Sequence, residues 1–128
     1  QSVNATSQAV ELARLAAAAA VAKKAEDPIA FDVSQRLVIT DVFLILTANN
    51  ERQVKAVADA VEEAMWAIGR KTSGREGGQV SRWVLLDFQD LVVHVQHREE
   101  RSLYALDKLW KDCPPIDLGV LDVVDQDQ

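Results

Sequence analysis

Two aspartates between apolar runs are the side chains whose type and spacing could do chemistry. Asp87 and Asp90 stand three positions apart in the segment 83–96, and two carboxylates near a strand end can hold Mg²⁺ for nucleotidyl transfer. That reaction also needs a loop that grips the triphosphate, usually a Gly-Ser pair opening a helix, whereas positions 48–50 read Ala-Asn-Asn. A Mg²⁺-dependent enzyme using Asp87 and Asp90 is therefore the alternative hypothesis. In the competing interpretation Asp90 is a turn residue and Asp87 lies on the outer face of a hairpin.

Two histidines in the same segment suggest a metal site that their spacing does not support. His94 and His97 are three apart, and residues three apart in a strand point to opposite faces. No cysteine or close trio of carboxylates completes a ligand set, so we expect no metal and no cofactor. We interpret His94 as a hydrogen-bonded surface or interface residue.

The glycine-containing segment 73–78 lacks the ending of a phosphate-binding loop and predicts a flexible connector. The single Cys113 is expected to be a reduced bystander.

The segment 83–96 itself predicts a β-hairpin with two different faces. Gln89 and Asp90 interrupt two runs of strand-forming residues as a two-residue turn, which places Phe88 opposite Leu91. Side-chain alternation then puts only apolar residues on one face: Val84, Leu86, Phe88, Leu91, Val93 and Val95. The other face, called the mixed face below, carries Trp83, Leu85, Asp87, Val92, His94 and Gln96.

The mixed face has the composition of an interface centre, where aromatic residues with polar neighbours are enriched. We therefore expect the apolar face to meet the core and the mixed face to meet a partner. In an alternative interpretation, the last helix covers Trp83 as part of a second small core.

Helices and further strands must position the hairpin. The predicted elements are an alanine-rich helix at 7–25, strands at 29–33 and 42–48, a helix at 50–68, a short edge strand at 71–72, the hairpin, and a helix at 99–111 with Leu103, Leu106 and Trp110 on its buried side. The first helix is expected at the edge of the domain because its apolar stripe is shallow. This order predicts an α/β (α+β) fold with a mixed β-sheet flanked by helices.

Composition bounds the class of protein. The chain has 128 residues, of which 48% are hydrophobic and 27% are charged, the balance of one soluble domain. No apolar run approaches the ~20 residues that span a bilayer, and no targeting signal is recognisable. We therefore expect a cytoplasmic protein with no membrane partner.

The net charge of −6 resides mainly near the C-terminal end of the sequence. Residues 112–128 contain five aspartates and no Lys or Arg, so the remaining residues carry a net charge of −1. Direct DNA binding is not expected, since broad phosphate contacts rely on Lys and Arg. We expect one domain at 1–112, with regular structure ending at Pro114-Pro115, and an acidic, disordered tail at 113–128.

Five segments carry a more specific pattern. They are 41–47, 52–59, 76–77, 83–94 with the string W-V-x-L-D-x-x-D-x-V-V-H, and 101–110 with R-x-x-Y-x-L-x-x-L-W. In sequence and spacing they resemble the Iojap family of ribosomal silencing factors over about residues 6 to 112. The Asp-Cys-Pro-Pro ending at 112–115 resembles actinobacterial members. Ala48, Asn50 and Gln96 depart from the family, where Gly, Ser and an apolar residue are usual.

The resemblance implies a translation repressor that is not an enzyme and has a nucleotidyltransferase-like fold. Such a factor binds the large ribosomal subunit through its fourteenth protein and sterically hinders joining of the small subunit when nutrients are short. A homodimer is a further state that the resemblance implies. The predicted partner-binding residues are Trp83, Leu85, Asp87, Asp90, His94, Arg101 and Tyr104.

Overall fold

A six-stranded mixed β-sheet organises the residues that the structure, a computed structural model, describes: 5–77 and 81–119. The strands are β1 (Glu26–Asp32), β2 (Val42–Ala48), β3 (Gly74–Glu76), β4 (Trp83–Asp87), β5 (Leu91–His97) and β6 (Pro115–Ile116). They lie in the order β3-β4-β5-β2-β1-β6. The central pair β2 and β5 is parallel, and the other pairs are antiparallel.

Four helices flank this sheet: α1 (Ser7–Ala22), α2 (Glu51–Ala67), α3 (Arg98–Tyr104) and α4 (Leu106–Leu109). The predicted α+β class, a mixed sheet with flanking helices, is confirmed. The short edge strand β3 lies three residues beyond its predicted position. Within 5–77 and 81–119, none of the helices has the length and apolar character needed to cross a membrane.

The helices α1 and α2 cover one face of the sheet. The Thr6 hydroxyl accepts from the Ala9 N–H over 3.1 Å at the start of α1, and the Asn50 side chain accepts from the Gln53 N–H over 2.8 Å at the start of α2. The buried residues of α1 are one leucine and five alanines: Leu12, Ala9, Ala13, Ala16, Ala17 and Ala20. Because small side chains allow close approach, α1 packs against both α2 and β2. The expectation that this helix lies at the edge of the domain is therefore wrong.

The predicted last helix is in fact two helices. Ala105 adopts the left-handed conformation, with φ 49° and ψ 52°, and separates α3 from α4. Leu103, which was expected to be buried, is 73% exposed. Leu106 and Trp110 are partly buried and join a second apolar cluster with Phe31, Val33, Ile45 and Cys113. The prediction that Leu103 lies on the buried side of this helix is therefore wrong.

Regular structure continues past Pro114-Pro115. The strand β6 pairs with Ala30 and Phe31 of β1, and Leu118 is buried in the main core. The expectation that these prolines end regular structure is therefore wrong. The rest of the predicted acidic tail, residues 120–128, lies outside the described residues, as do positions 78–80.

Candidate functional site

The hairpin forms in the predicted register. Trp83 lies opposite Gln96, and the Phe88 N–H donates to the Leu91 carbonyl over 2.8 Å. Gln89 adopts a φ of 77° in the turn, a conformation that glycine usually supplies. Because side chains alternate from this register, the apolar face and the mixed face are those predicted from the sequence.

Aromatic side chains form a continuous row across the mixed face. Ring centroids lie 5.0 Å apart for Tyr104 and Trp83, 6.0 Å for Trp83 and His94, 5.2 Å for His94 and Phe43, and 5.0 Å for Phe43 and Trp110. We call these five residues the aromatic row. Trp83 is half-buried and Tyr104 is 53% exposed, so the row is open to solvent at this end. The helix α3 therefore covers Trp83 only in part, through the ring of Tyr104.

His94 lies behind Trp83 and not at the surface. The residue is 6% exposed, and its Nδ1 accepts from the indole Nε1–H of Trp83 over 3.2 Å. Burial lowers the pKa of His94 from 6.5 to about 4, so the ring is neutral at pH 7 and carries its proton on Nε2. The prediction that His94 is hydrogen-bonded is confirmed, whereas its placement at the surface is wrong. Its role in the site is to hold the Trp83 ring in place.

The carboxylates of Asp87 and Asp90 both accept hydrogen bonds from other groups of this protein. Asp90 accepts from the Arg70 guanidinium over 2.7 Å, and the same arginine donates to the Phe88 carbonyl over 3.1 Å. Asp87 accepts from the Gln89 N–H over 2.7 Å. Asp87 thus closes the turn, and Asp90 is half of an ion pair. Over the described parts of the chain, no three or more His, Cys, Asp or Glu side chains are grouped so that they could hold a metal ion.

A shallow pocket adjoins the open end of the aromatic row. Trp83, Leu85, Glu76 and Gly77 line it, and its volume is about 370 Å³. Gly77 has a φ of 114°, and a Cβ atom there would lie 2.9 Å from the Trp83 carbonyl oxygen. Only a glycine therefore lets the chain pass this close to the start of β4.

Arg101 ties α3 to the sheet. Its side chain is 15% exposed, and it donates to the Thr47 hydroxyl and, over 3.3 Å, to the Asp27 carbonyl. Of the predicted partner-binding residues, Trp83, Leu85 and Tyr104 gather at one open surface, Asp87 and Asp90 lie at the hairpin turn, and His94 and Arg101 lie below the surface. Direct contact with a partner stays a prediction for all seven.

Sequence reasoning missed two residues of this region. Phe43 packs edge-on against both His94 and Trp110, and the alternation within 42–48 could have placed it on the mixed face. Gln96 is fully buried, and neither polar atom of its side-chain amide has a hydrogen-bond partner among the described residues; the same holds for Nε2 of His94. The signal for this burial is the apolar residue that is usual in the family at position 96.

The fold agrees with comparisons with known proteins. The sequence model of the family described as "Ribosomal silencing factor during starvation" matches residues 6–128. The Bacillus subtilis protein named "Ribosomal silencing factor RsfS" is 43% identical over 105 residues, covering 82% of this chain and 89% of that protein.

Two solved structures are similar as well. A crystal structure of a Chromobacterium violaceum protein matches with a TM-score of 0.76 at 34% identity and covers 79% of this chain and 84% of that one. A crystal structure of a Bacillus halodurans protein matches with a TM-score of 0.73 at 39% identity, covering 84% and 97%. This chain therefore belongs to the family of ribosomal silencing factors.

Proposed function

We propose that this protein represses translation in the cytoplasm by binding the large ribosomal subunit, chiefly its fourteenth protein, and thereby blocking the approach of the small subunit. Family membership supports the silencing role. The observation that supports the docking surface is the open end of the aromatic row, where Trp83, Leu85 and Tyr104 meet beside the shallow pocket.

Trp83 has the properties of a binding anchor. Its ring is half-buried, lies 5.0 Å from the Tyr104 ring and is fixed by the bond to His94. A side chain held in this way loses little conformational freedom when a partner binds. Loss of a central aromatic anchor commonly costs about 2 kcal/mol or more, which corresponds to a roughly thirtyfold weaker Kd.

Acidic groups near this surface favour a basic partner such as a ribosomal protein. Glu76 is exposed at the rim of the pocket, and Asp87 is half-exposed at the far end of β4. Complementary charge of this kind speeds encounter and selects against acidic partners.

The repression that we propose requires occupancy and no catalytic step. The Asp87 and Asp90 carboxylates, which a Mg²⁺-dependent enzyme would use, are engaged by the Gln89 N–H and by Arg70. Self-association through the mixed face is a further state of the same surface, since an isologous patch needs only a second copy.

Replacement of Trp83 tests the docking surface. We expect Trp83→Ala to keep the fold by circular dichroism and to raise the Kd for purified large subunits, measured by co-sedimentation, roughly thirtyfold. Trp66→Ala is the matched control, because Trp66 is a solvent-exposed tryptophan that lies at the end of α2 and away from the mixed face. Unchanged binding by Trp83→Ala, or equal loss in both variants, would move the interface elsewhere. Sedimentation velocity of the free protein separates a dimer from a monomer.

A further inference from the structure

We propose that α3 is a lid on the mixed face, and that it lifts from β2 and β5 when a partner docks on the aromatic row. The docking half of this inference rests on the proposed function. The lid itself is a property of the free protein and can be measured without a ribosome.

Apolar burial does not hold α3 in place. None of its residues is buried, and Leu103 and Tyr104 are mostly exposed. By contrast, α2 buries five residues in the main core. Segments with few buried apolar contacts are the ones that open locally at low free energy.

Polar contacts are what fasten α3 to the sheet and to β4. Arg101 donates to the Thr47 hydroxyl, while Arg82 forms ion pairs with Glu99 and, over 2.9 Å, with Glu100. The ion pairs of Arg82 are partly exposed, so water can replace them at little cost. The hydrogen bond from Arg101 to Thr47 is mostly shielded from water, so it supplies most of the resistance to lifting α3.

The floor under α3 contains buried polar atoms whose hydrogen bonds are unmet. Gln96 lies opposite Trp83 on β4 and beside Thr47 on β2, so its side chain shares the face on which α3 packs. Both polar atoms of its amide, and Nε2 of His94, lack partners within the described residues. A buried polar group without a partner raises the free energy of the closed state, and water restores its hydrogen bonds on opening.

The backbone changes direction at both ends of α3. At the first end His97 terminates β5, and its Nδ1 accepts from the Glu99 N–H over 3.0 Å. At the other end Ala105 adopts a left-handed conformation, which is strained for a residue with a Cβ atom. In the proposed opening, α3 would turn as a unit about these two positions.

Opening would change what the mixed face offers to a partner. Tyr104 would leave the Trp83 ring, and the Nε2–H of His94 and the amide of Gln96 would become accessible beside it. This combination of a flat aromatic ring with buried donors and an acceptor suits an extended protein segment, whose backbone carries both N–H and C=O groups. The partner that the open surface fits is thus a polypeptide.

Hydrogen exchange of the free protein tests the lid. We expect the amides of residues 102–105 to exchange much faster than those of α2. Gln96→Leu replaces the amide by an apolar group of similar size, so the closed state is stabilised and exchange at 102–105 slows about tenfold. Gln8→Leu is the matched control, since Gln8 is an exposed residue of α1, and it should leave this exchange unchanged.

A second variant, with the opposite expected effect on amide exchange, shows whether the change is specific to α3. Arg101→Ala removes a fastening of α3 and should speed exchange at residues 102–105 while α2 stays protected. If Gln96→Leu raises the melting temperature but leaves exchange at 102–105 unchanged, the buried amide does not act on α3 and the lid is refuted. Equal exchange rates in α3 and α2 of the wild type would refute it as well.

Binding to large subunits tests the docking half. If only the open form binds, the apparent Kd is inversely proportional to the open fraction. The Kd of Gln96→Leu should then rise by at least the factor by which exchange slows, because the partner also loses the amide as a hydrogen-bonding group. Slower exchange with an unchanged Kd would overturn the claim that docking lifts α3. Failure of the wild type to bind large subunits would refute the proposed function, while the exchange result would still decide the lid.

Discussion

Neighbouring residues of one strand differ strongly in burial, depending on the face of the sheet to which their side chains point. On the face under α1 and α2, Leu86 is fully buried in a continuous apolar core. On the mixed face the adjacent Leu85 is half-exposed beside Trp83, and Gln96 is buried without a hydrogen-bond partner among the described residues. The two strands of the hairpin thus supply well-packed apolar side chains to one face and, to the other face, a half-exposed leucine and a buried amide.

This difference indicates how stability and binding are divided. The helix-covered face removes apolar side chains from water, which is the dominant favourable contribution to folding. The mixed face keeps aromatic area open and leaves polar atoms unmet, so that it gains most when a partner covers it. Stability should therefore be more sensitive to changes on the first face, and binding to changes on the second.

Truncation of the two adjacent leucines gives the largest expected contrast. Leu86→Ala leaves a cavity in the core and should lower the free energy of unfolding by about 3 kcal/mol. Leu85→Ala should lower it by less than about 1 kcal/mol, because the side chain is already partly in water. Urea denaturation of both variants measures the difference. Equal losses would mean that the two faces do not differ in this way.

Acid should destabilise the protein through the mixed face before it affects other groups. Because the folded-state pKa of His94 is about 4 and its unfolded value is about 6.5, the unfolded state binds more protons between these values. Stability is therefore complete above about pH 6.5 and falls as the pH drops, by about 2 kcal/mol between pH 7 and pH 5. Denaturant titrations at both pH values measure this loss.

Substitution of either histidine separates their contributions. His94→Gln should remove most of the loss between pH 7 and pH 5, whereas His97→Gln should keep it. Carboxylates act at lower pH: the Asn49 hydrogen bond, with help from Arg98, lowers the pKa of Glu26, and the stability that this group contributes is lost only below about pH 4.5. A pH dependence that survives in His94→Gln would contradict the assignment.

A pair of glycines tests how the edge of the mixed face is built. Gly77→Ala places a Cβ atom 2.9 Å from the Trp83 carbonyl oxygen, whereas at Gly69 a Cβ atom meets nothing within 4 Å. Both have positive φ values, so each substitution should cost about 1 kcal/mol in backbone strain. The clash should add about 1 kcal/mol for Gly77→Ala alone. Thermal unfolding measures both, and equal losses would argue against close packing at Trp83.

Much of the fold followed from local patterns in the sequence. Strict alternation and a two-residue break gave the register of the hairpin, with Phe88 opposite Leu91. The helical spacing of five apolar residues predicts the buried side of α2, and it is right for Val54, Val57, Val61 and Met65. It is wrong for Ile68, which is 54% exposed just beyond the end of the helix. These features are predictable because one periodicity decides them.

The parts that could not be predicted depend on distant contacts. Alanine at position 105 carries no signal for a left-handed conformation, so the break between α3 and α4 could not be predicted from the sequence. Pro115 normally ends regular structure, yet it is acceptable in β6 because this strand lies at the sheet edge. The burial of His94 depends on how α3 packs, which tertiary structure alone decides.

The smallest expected effect compares two ion-paired glutamates, one whose side chain is 67% exposed and one whose side chain is 21% exposed. Glu11 pairs with Arg14 on the surface of α1, and Glu100 pairs with Arg82 at α3. Neutralising either one should change the free energy of unfolding by less than about 0.5 kcal/mol, as is usual for surface ion pairs. Glu100→Gln should nevertheless speed amide exchange at residues 102–105 about twofold, because opening of α3 breaks this contact. Glu11→Gln should not, and salt at about 1 M should abolish the difference, since screening removes the attraction. A Glu100→Gln variant that exchanges like Glu11→Gln would show that this ion pair does not help to hold α3, which would leave the fastening to Arg101 and to the other ion pairs of the helix.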